Sequence, residues 1–227
     1  MKKIVILTSV LMLFLTGCSS FHWRGKIPDY TKKSFTANEP EKIKNIYLED
    51  EDTPVELLVS KDDNIHITYF DADDESETYD ITEENESIKI TKKSKSNFGI
   101  FVFGDETLSD EYKKITLKLY LPRDYAGSAD VKTTDGNITV ERIHVEILTI
   151  NTNDGDISFH FPVIGVSLSC STKDGNVEGV LDGQMEEFTY MVSADDGSSN
   201  LNSGGFGSKK IEINTKDGDI NLSFSQS

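Results

Sequence analysis

Cysteine is scarce in this sequence, because Cys18 and Cys170 are the only two among 227 residues. A disulfide-rich scaffold is therefore excluded. Basic residues are also few, with 23 Lys and Arg against 40 Asp and Glu and a formal net charge of −17. Such an acidic chain is unsuited to binding nucleic acid or anionic lipid surfaces. No Gly-x-Ser-x-Gly, His-Glu-x-x-His or Cys-x-x-Cys motif is present, so the composition favours a protein that is not an enzyme and carries no cofactor.

The N-terminus has the pattern of a bacterial export signal. Lys2 and Lys3 precede an apolar run, Ile4–Leu15, that is shorter than the roughly 20 residues of a membrane-spanning helix. The run ends in Leu-Thr-Gly before Cys18, which resembles the lipobox of bacterial lipoproteins. We expect residues 1–17 to be a lipoprotein signal peptide and Cys18 to carry the lipid that anchors the protein on the extracytoplasmic face of the membrane. The alternative is an ordinary signal peptide with an incidental Cys18.

The remaining chain divides into a tether and one domain. Residues 18–41 show no period and are predicted to be the lipid anchor and a flexible tether. Residues 42–227 are predicted to be all-β, because apolar and polar residues alternate and no helical period occurs. An apolar octet, Asn97–Gly104, interrupts this pattern. We interpret it as a hairpin or lid over the first coil, with contact to a membrane or partner as the alternative.

One short phrase recurs five times in the C-terminal half of the chain. Its Asp-Gly pair returns about every 20 residues, a period typical of repeat folds. On both sides of the pair, apolar residues stand two apart with polar residues between them, as in strands with one buried face. The marker aspartates are Asp135, Asp154, Asp174, Asp196 and Asp217. Cys170 shares an apolar column with Val131 and Ile150, so we expect a buried, unreactive thiol.

Two architectures are compatible with these repeats. Like residues in like columns favour a parallel β-solenoid whose coils stack in register. Asp-Gly is also a common hairpin turn, so an antiparallel β-sandwich is the alternative. In either case we expect the glycine to supply positive φ and the aspartate to accept turn hydrogen bonds.

The order of the motifs resembles a known bacterial family. An Ile-x-Asn-Ile-x-Leu opening at Ile43–Leu48, a Leu-Lys-Leu-Tyr-Leu-Pro segment at Leu117–Pro122 and the repeated Thr-x-Asp-Gly-x-Ile units are similar to the β-strand-repeat family of bacterial envelopes, catalogued as a domain of unknown function and "putative adhesin". The resemblance covers residues 42–227 and implies the fold, with no catalytic residue to carry over.

The expected function is that of a lipid-anchored binding or envelope-scaffold protein. The membrane is contacted through the lipid on Cys18, and the partner is an envelope protein or polysaccharide. An accessory role in envelope-stress sensing is the alternative. A carbohydrate-active enzyme is the third hypothesis, since paired carboxylates could act as acid and base; turn chemistry explains them better. The pairs are Asp154 with Asp156, Asp195 with Asp196, and Asp217 with Asp219. Calcium could relieve repulsion between stacked aspartates, although calcium-binding loop motifs are absent.

Overall fold

Strands make up nearly all the regular structure in residues 28–95 and 115–226, the part of the chain that the computed structural model describes. The signal peptide, Cys18 and the octet Asn97–Gly104 lie outside these ranges. Two short 3₁₀ turns, Pro40–Lys42 and Met185–Glu187, accompany the strands. Within the described residues no helix has the length and apolar character needed to cross a membrane. The strands are β1 Tyr30–Thr36, β2 Asn45–Glu49, β3 Val55–Val59, β4 His66–Ala72, β5 Glu77–Glu84, β6 Ser87–Ser94, β7 Leu117–Leu121, β8 Ser128–Lys132, β9 Ile138–Glu141, β10 His144–Asn151, β11 Ile157–Thr172, β12 Val177–Gln184, β13 Phe188–Ala194, β14 Gly204–Gly205, β15 Lys209–Thr215 and β16 Ile220–Gln226.

The strands form two ladders, one before and one after the Asp-Gly turns. The pre-turn ladder runs β5, β6, β2, β8, β10, β11, β15, β13, β14, and the post-turn ladder runs β1, β4, β7, β3, β9, β11, β12, β16. The long strand β11 belongs to both, because residues 157–160 pair with β9 whereas residues 163–171 pair with β10. Between these two parts Phe161 has a positive φ of 57°, which marks a corner in the strand.

Apolar residues from both ladders share one core. In the pre-turn ladder Val131 pairs with Ile150, which pairs with Cys170. In the post-turn ladder Ile138 pairs with Ile157. All five are fully buried, as the columns of the sequence predict. Burial raises the pKa of the Cys170 thiol, so its reactive thiolate form is disfavoured.

The all-β prediction is confirmed, but the sheet is mixed. The Asp-Gly repeats pair in parallel with one another, whereas the described ends of the ladders carry antiparallel pairs of β1 with β4, β4 with β7, β5 with β6 and β13 with β14. Neither a purely parallel solenoid nor an antiparallel sandwich therefore describes the whole sheet. The predicted tether also needs correction, since β1, Tyr30–Thr36, is a strand paired along its length with β4.

The last two repeats do not stack in chain order. β15 of the fifth repeat pairs with β11 on one side and with β13 of the fourth repeat on the other. The fifth repeat therefore lies between the third and the fourth. Spatial order and chain order therefore differ at this end, because similar columns allow the C-terminal strands to occupy either position.

Side chains occupy the hydrogen-bonding edge at this end of both ladders. The hydroxyl of Ser203 accepts from Val192 N–H (2.8 Å) and donates to Val192 C=O (3.2 Å). In the same way, Asn200 Oδ1 accepts from Leu222 N–H (2.9 Å) and Asn200 Nδ2 donates to Leu222 C=O (2.8 Å). These two side chains take the place of a further strand and limit edge-to-edge association.

Candidate functional site

The five Asp-Gly turns lie side by side and form a surface that we call the turn edge, and its glycines are required for close stacking. A Cβ on Gly155 would lie 2.3 Å from the carbonyl oxygen of Gly136, and one on Gly175 would lie 2.0 Å from that of Gly155. The positive-φ glycines of the described chain are Gly179, Gly183 and Gly205, none of which belongs to an Asp-Gly pair. The expected positive φ is therefore wrong, and the glycines instead let neighbouring backbones touch.

In the second, third and fifth repeats, the threonine two residues before the marker caps its own turn. Thr152 Oγ1 accepts a hydrogen bond from Gly155 N–H at 3.2 Å, and Thr172 and Thr215 make the same contact with their glycines at 3.1 and 3.0 Å. These threonines are buried, so the bond satisfies an otherwise buried donor. The capping role that the sequence assigned to aspartate thus belongs to threonine.

A second polar column, two residues after each marker, was missed at the sequence level. Asp156 N–H donates to Asn137 Oδ1 (2.9 Å), Asn176 N–H to Asp156 Oδ1 (2.8 Å), and Asp219 N–H to Asn176 Oδ1 (2.9 Å). Ser198 N–H then donates to Asp219 Oδ1 (2.8 Å). In space the column alternates amide and carboxylate, which separates like charges. The repeated Asp-Gly-Asn and Asp-Gly-Asp triplets were the available signal.

Four of the five marker aspartates, Asp135, Asp154, Asp174 and Asp217, form a row of interacting carboxyl groups. A hydrogen bond with Asp174, followed by burial and the charge of Asp135, raises the pKa of Asp154. Lys173, whose Nζ lies 2.8 Å from Asp174 Oδ2, contributes most to lowering the pKa of Asp174. Ionised Asp174 therefore stabilises the fold above its ordinary pKa and loses this effect as pH falls, whereas Asp154 acts in the opposite direction.

The candidate catalytic and calcium-binding aspartates are all placed at this edge. Asp154 interacts with Asp174, while Asp156 and Asp219 accept backbone hydrogen bonds from the neighbouring repeat. Asp195 accepts a hydrogen bond from the hydroxyl of Ser193. Within residues 28–95 and 115–226, no group of three or more His, Cys, Asp or Glu side chains is arranged to hold a metal ion.

The turn between β2 and β3 is a further, degenerate member of the turn edge. Asp50 occupies the position that threonine has in the repeats. Glu49, the last residue of β2, pairs with Lys132 of β8, so the next residue, Asp50, aligns with Thr133. Asp50 Oδ1 accepts from Thr53 N–H at 3.0 Å, the bond that threonine makes elsewhere. Thr53 replaces the glycine, and its carbonyl oxygen would lie 2.2 Å from a Cβ on Gly136. This turn was not recognised from the sequence, because it has no Asp-Gly pair.

The carboxylate of Asp50 is buried and is compensated by its surroundings. Tyr79 donates a hydrogen bond to it, and Lys92 Nζ lies 4.0 Å from Asp50 Oδ1 and 2.5 Å from Asp52 Oδ1. The side chain of Lys92 is only 5% exposed. Burial alone would lower the pKa of Lys92, but the carboxylates of Asp50, Asp52 and Glu77 outweigh it and raise the pKa. This cluster links β5 and β6 to the turn edge as a structural ion-pair network.

The outward surface of the pre-turn ladder carries a groove on β2 and its two neighbours. Tyr47 is 45% exposed and stands between Lys89 of β6 and Asp130 of β8. Glu49 and Lys132 form the next outward row, with Lys132 Nζ 3.7 Å from Glu49 Oε1. The groove encloses about 450 Å³. Its outward-facing lining residues, Tyr47, Glu49, Lys89, Asp130 and Lys132, do not belong to the buried core.

A family model described as Toastrack DUF4097 matches residues 43–227, the two ladders apart from β1 and the turn that follows it. The chain belongs to the Toastrack DUF4097 family. This confirms the family resemblance seen in the sequence. Among curated proteins, none matches the chain.

Two solved structures resemble this member of the Toastrack family. One is described as a "putative cell adhesion protein" from Clostridium sporogenes ATCC 15579; it has a TM-score of 0.56 and 10% identity, over 88% of this chain and 100% of that chain. The other is described as a "putative adhesin" from Bacteroides fragilis NCTC 9343, with a TM-score of 0.37 and 12% identity over 86% of this chain and 97% of that chain. At 10% identity the first similarity shows a shared fold alone. The TM-score of the second structure is too low to support a conclusion about this chain.

Proposed function

We propose that this Toastrack protein is a lipid-anchored, extracytoplasmic binding or envelope-scaffold protein without catalytic activity. The lipobox-like segment ending at Cys18 supports the anchor. The description of the Clostridium sporogenes structure as a "putative cell adhesion protein" is consistent with a surface location. The observation that carries the non-catalytic role is that the recurrent carboxylates of the turn edge are engaged by neighbouring repeats, as in the bond from Asn176 N–H to Asp156.

We further propose that the repeat region is a short β-solenoid, in which each Asp-Gly unit forms one coil. The parallel, in-register pairing on both sides of the turns supports this. The chain enters the described region at Pro28, beside β1, at one end of the post-turn ladder, while β16 lies at the other end. With strands about 4.8 Å apart, the seven intervals of this ladder separate its ends by about 34 Å. An anchor at Cys18 would thus leave the far end and the outer faces open to envelope components.

Membrane fractionation of cells that express Cys18→Ala tests the anchor. The unmodified protein should be found in the membrane fraction and incorporate labelled fatty acid, whereas the variant should be released or remain unprocessed. Cys170→Ala is the matched control, because Cys170 is buried in the core, and it should stay lipid-labelled and membrane-bound. A fully processed Cys18→Ala protein that remains in the membrane would overturn the lipid-anchor proposal.

Crosslinking in intact cells, followed by isolation of the protein, tests the binding role. Recovery of an envelope polysaccharide or structural envelope protein supports it. Specific recovery of a stress-sensing membrane protein would instead favour the accessory role.

A further inference from the structure

The groove around Tyr47 has the composition of a ligand-binding surface. Tyr47 projects outward from β2, whose Ile46 and Leu48 are buried in the core. The strand is paired on both sides along its whole length, with β6 and with β8. The aromatic ring is therefore displayed on a rigid support, where a bound molecule can contact it with little loss of conformational freedom.

A buried aromatic residue lies beside the exposed one. Tyr125 is only 4% exposed and donates a hydrogen bond to Ser128 C=O at 3.2 Å. Gly127 provides the space for its ring, since a Cβ there would lie 2.4 Å from the Tyr125 ring. Burial, and to a lesser degree the nearby Tyr47, raises the pKa of Tyr125. The inward positions of β2 are taken by Ile46 and Leu48, so the Tyr47 ring remains at the surface beside Tyr125.

The charges around the ring balance one another. Lys89 and Lys132 contribute two positive charges, and Glu49 and Asp130 contribute two negative charges. The groove is therefore locally neutral, although the whole chain has a formal net charge of −17. The groove therefore offers little electrostatic attraction to a polymer with a large net charge. The hydroxyl groups of an uncharged polymer could form hydrogen bonds both with the ammonium donors and with the carboxylate acceptors.

The same outward surface continues from the groove as a flat area with short side chains. Asp130 pairs with Thr149 of β10, which pairs with Ser169 of β11. In the next row Lys132 pairs with Asn151, which pairs with Ser171. These polar groups recur at about 4.8 Å from strand to strand, a distance close to the length of one sugar in an extended β-1,4-linked chain. Their small size allows a flat ligand to lie across the strands.

We propose that the Tyr47 groove and this flat area bind an extended, uncharged β-1,4-linked polysaccharide, with one sugar ring stacked on Tyr47. The polysaccharide crosses the strands, and its hydroxyl groups bond to Lys89, Asp130 and Thr149. A phenol ring suits this role because its face is apolar and its edge is polar. This inference rests on the proposed binding function and names the chemistry of one partner.

Affinity electrophoresis of the full chain in mild detergent tests the inference. Native gels containing hydroxyethyl cellulose should retard the unmodified protein, whereas gels with the anionic polymer polyglutamate should not. Tyr47→Ala should weaken the retardation at least about tenfold, as for other central aromatic contacts. Tyr120→Ala is the matched control, because Tyr120 lies on β7 of the other ladder, and it should be retarded like the unmodified protein. Ser169→Lys should also weaken binding, although Tyr47 is intact.

Equal retardation of the unmodified protein and Tyr47→Ala, or no retardation by hydroxyethyl cellulose, would overturn the inference. Specific crosslinking of a photoreactive residue at position 47 to an envelope protein would overturn it as well. Thermal unfolding of each variant shows whether loss of binding is due to loss of folding, and Tyr47→Ala is expected to remain folded because the ring is half exposed. Failure at the groove would leave membrane anchoring through Cys18 unaffected, so the two proposals are tested separately.

Discussion

Replacement of Gly155 distinguishes close stacking from turn conformation as the reason for the Asp-Gly pairs. At a glycine with positive φ, Asn is the best tolerated substitute, because it adopts the left-handed region more readily than Ala. At a glycine that contacts a neighbouring backbone, the larger Asn should be at least as harmful as Ala. The structure predicts the second order, since a Cβ on Gly155 would lie 2.3 Å from Gly136 O.

The expected magnitude follows from the contacts around this turn. Relief of the clash requires the second repeat to move away from the first, which lengthens the two 2.9 Å hydrogen bonds from Asn153 N–H and Asp154 N–H to Thr134 C=O. Overpacking contributes about 1–3 kcal/mol, and each weakened hydrogen bond about 0.5–1.5 kcal/mol. Alanine also lowers the conformational entropy of the unfolded chain, which offsets about 0.4–1 kcal/mol of this destabilisation. These contributions span about 1–6 kcal/mol, and from the middle of this range we expect Gly155→Ala to lower the free energy of unfolding by about 2–4 kcal/mol.

Thermal and urea unfolding measure this effect. A loss of this size should lower Tm by roughly 5–15 °C in a domain of this length. Gly204→Ala is the matched control, because the nearest atom to its added Cβ, on Tyr190, is 3.9 Å away, and its stability should change by no more than about 0.5 kcal/mol. Close stacking is refuted as the reason for the glycine if Gly155→Asn is more stable than Gly155→Ala, or if Gly155→Ala is as stable as the control.

Three further predictions concern the core, the order of the repeats and the buried ion pair. Ile157→Asp should reduce stability by about 4 kcal/mol or more, whereas Ser158→Asp, on the outward surface, should change it by at most about 1 kcal/mol; equal losses in urea unfolding would contradict the alternation. Truncation after Gly207 removes β15, the one parallel partner of β13 among the described strands. Hydrogen exchange should then show rapid exchange in β13 and continued protection in β10, and global unfolding would refute the local sharing of stability. Lys92→Met should reduce the free energy of unfolding by about 3–5 kcal/mol, because it leaves the Asp50 carboxylate buried without a cation. Adding Asp50→Thr to this variant should restore part of the lost stability. A double variant no more stable than Lys92→Met would disprove the equivalence of Asp50 with the repeat threonines.

Much of the fold was predictable from the period-two pattern alone. The apolar positions on both sides of the Asp-Gly pairs, such as Ile138 and Ile157, are buried as expected. The reason is local: in a strand with one buried face, the side-chain direction follows from sequence position. The family could also be recognised from its repeated motifs. The N-terminal limit of the folded region was not predictable, because the polar β1 is ordered through its pairing with β4.

The sequence by itself determined which residues face the core and where the chain turns. The tertiary structure alone decided the order of the last two repeats, the equivalence of Asp50 with the repeat threonines and the neighbours of Tyr47. These features depend on pairing between segments far apart in the chain, and columns with similar residues permit more than one order. The alternation of Asn176, Asp219 and Ser198 along the turn edge exists only because the fifth repeat lies between the third and the fourth. Local propensity could not show this, since it depends on which backbone amide each side chain meets across the ladder.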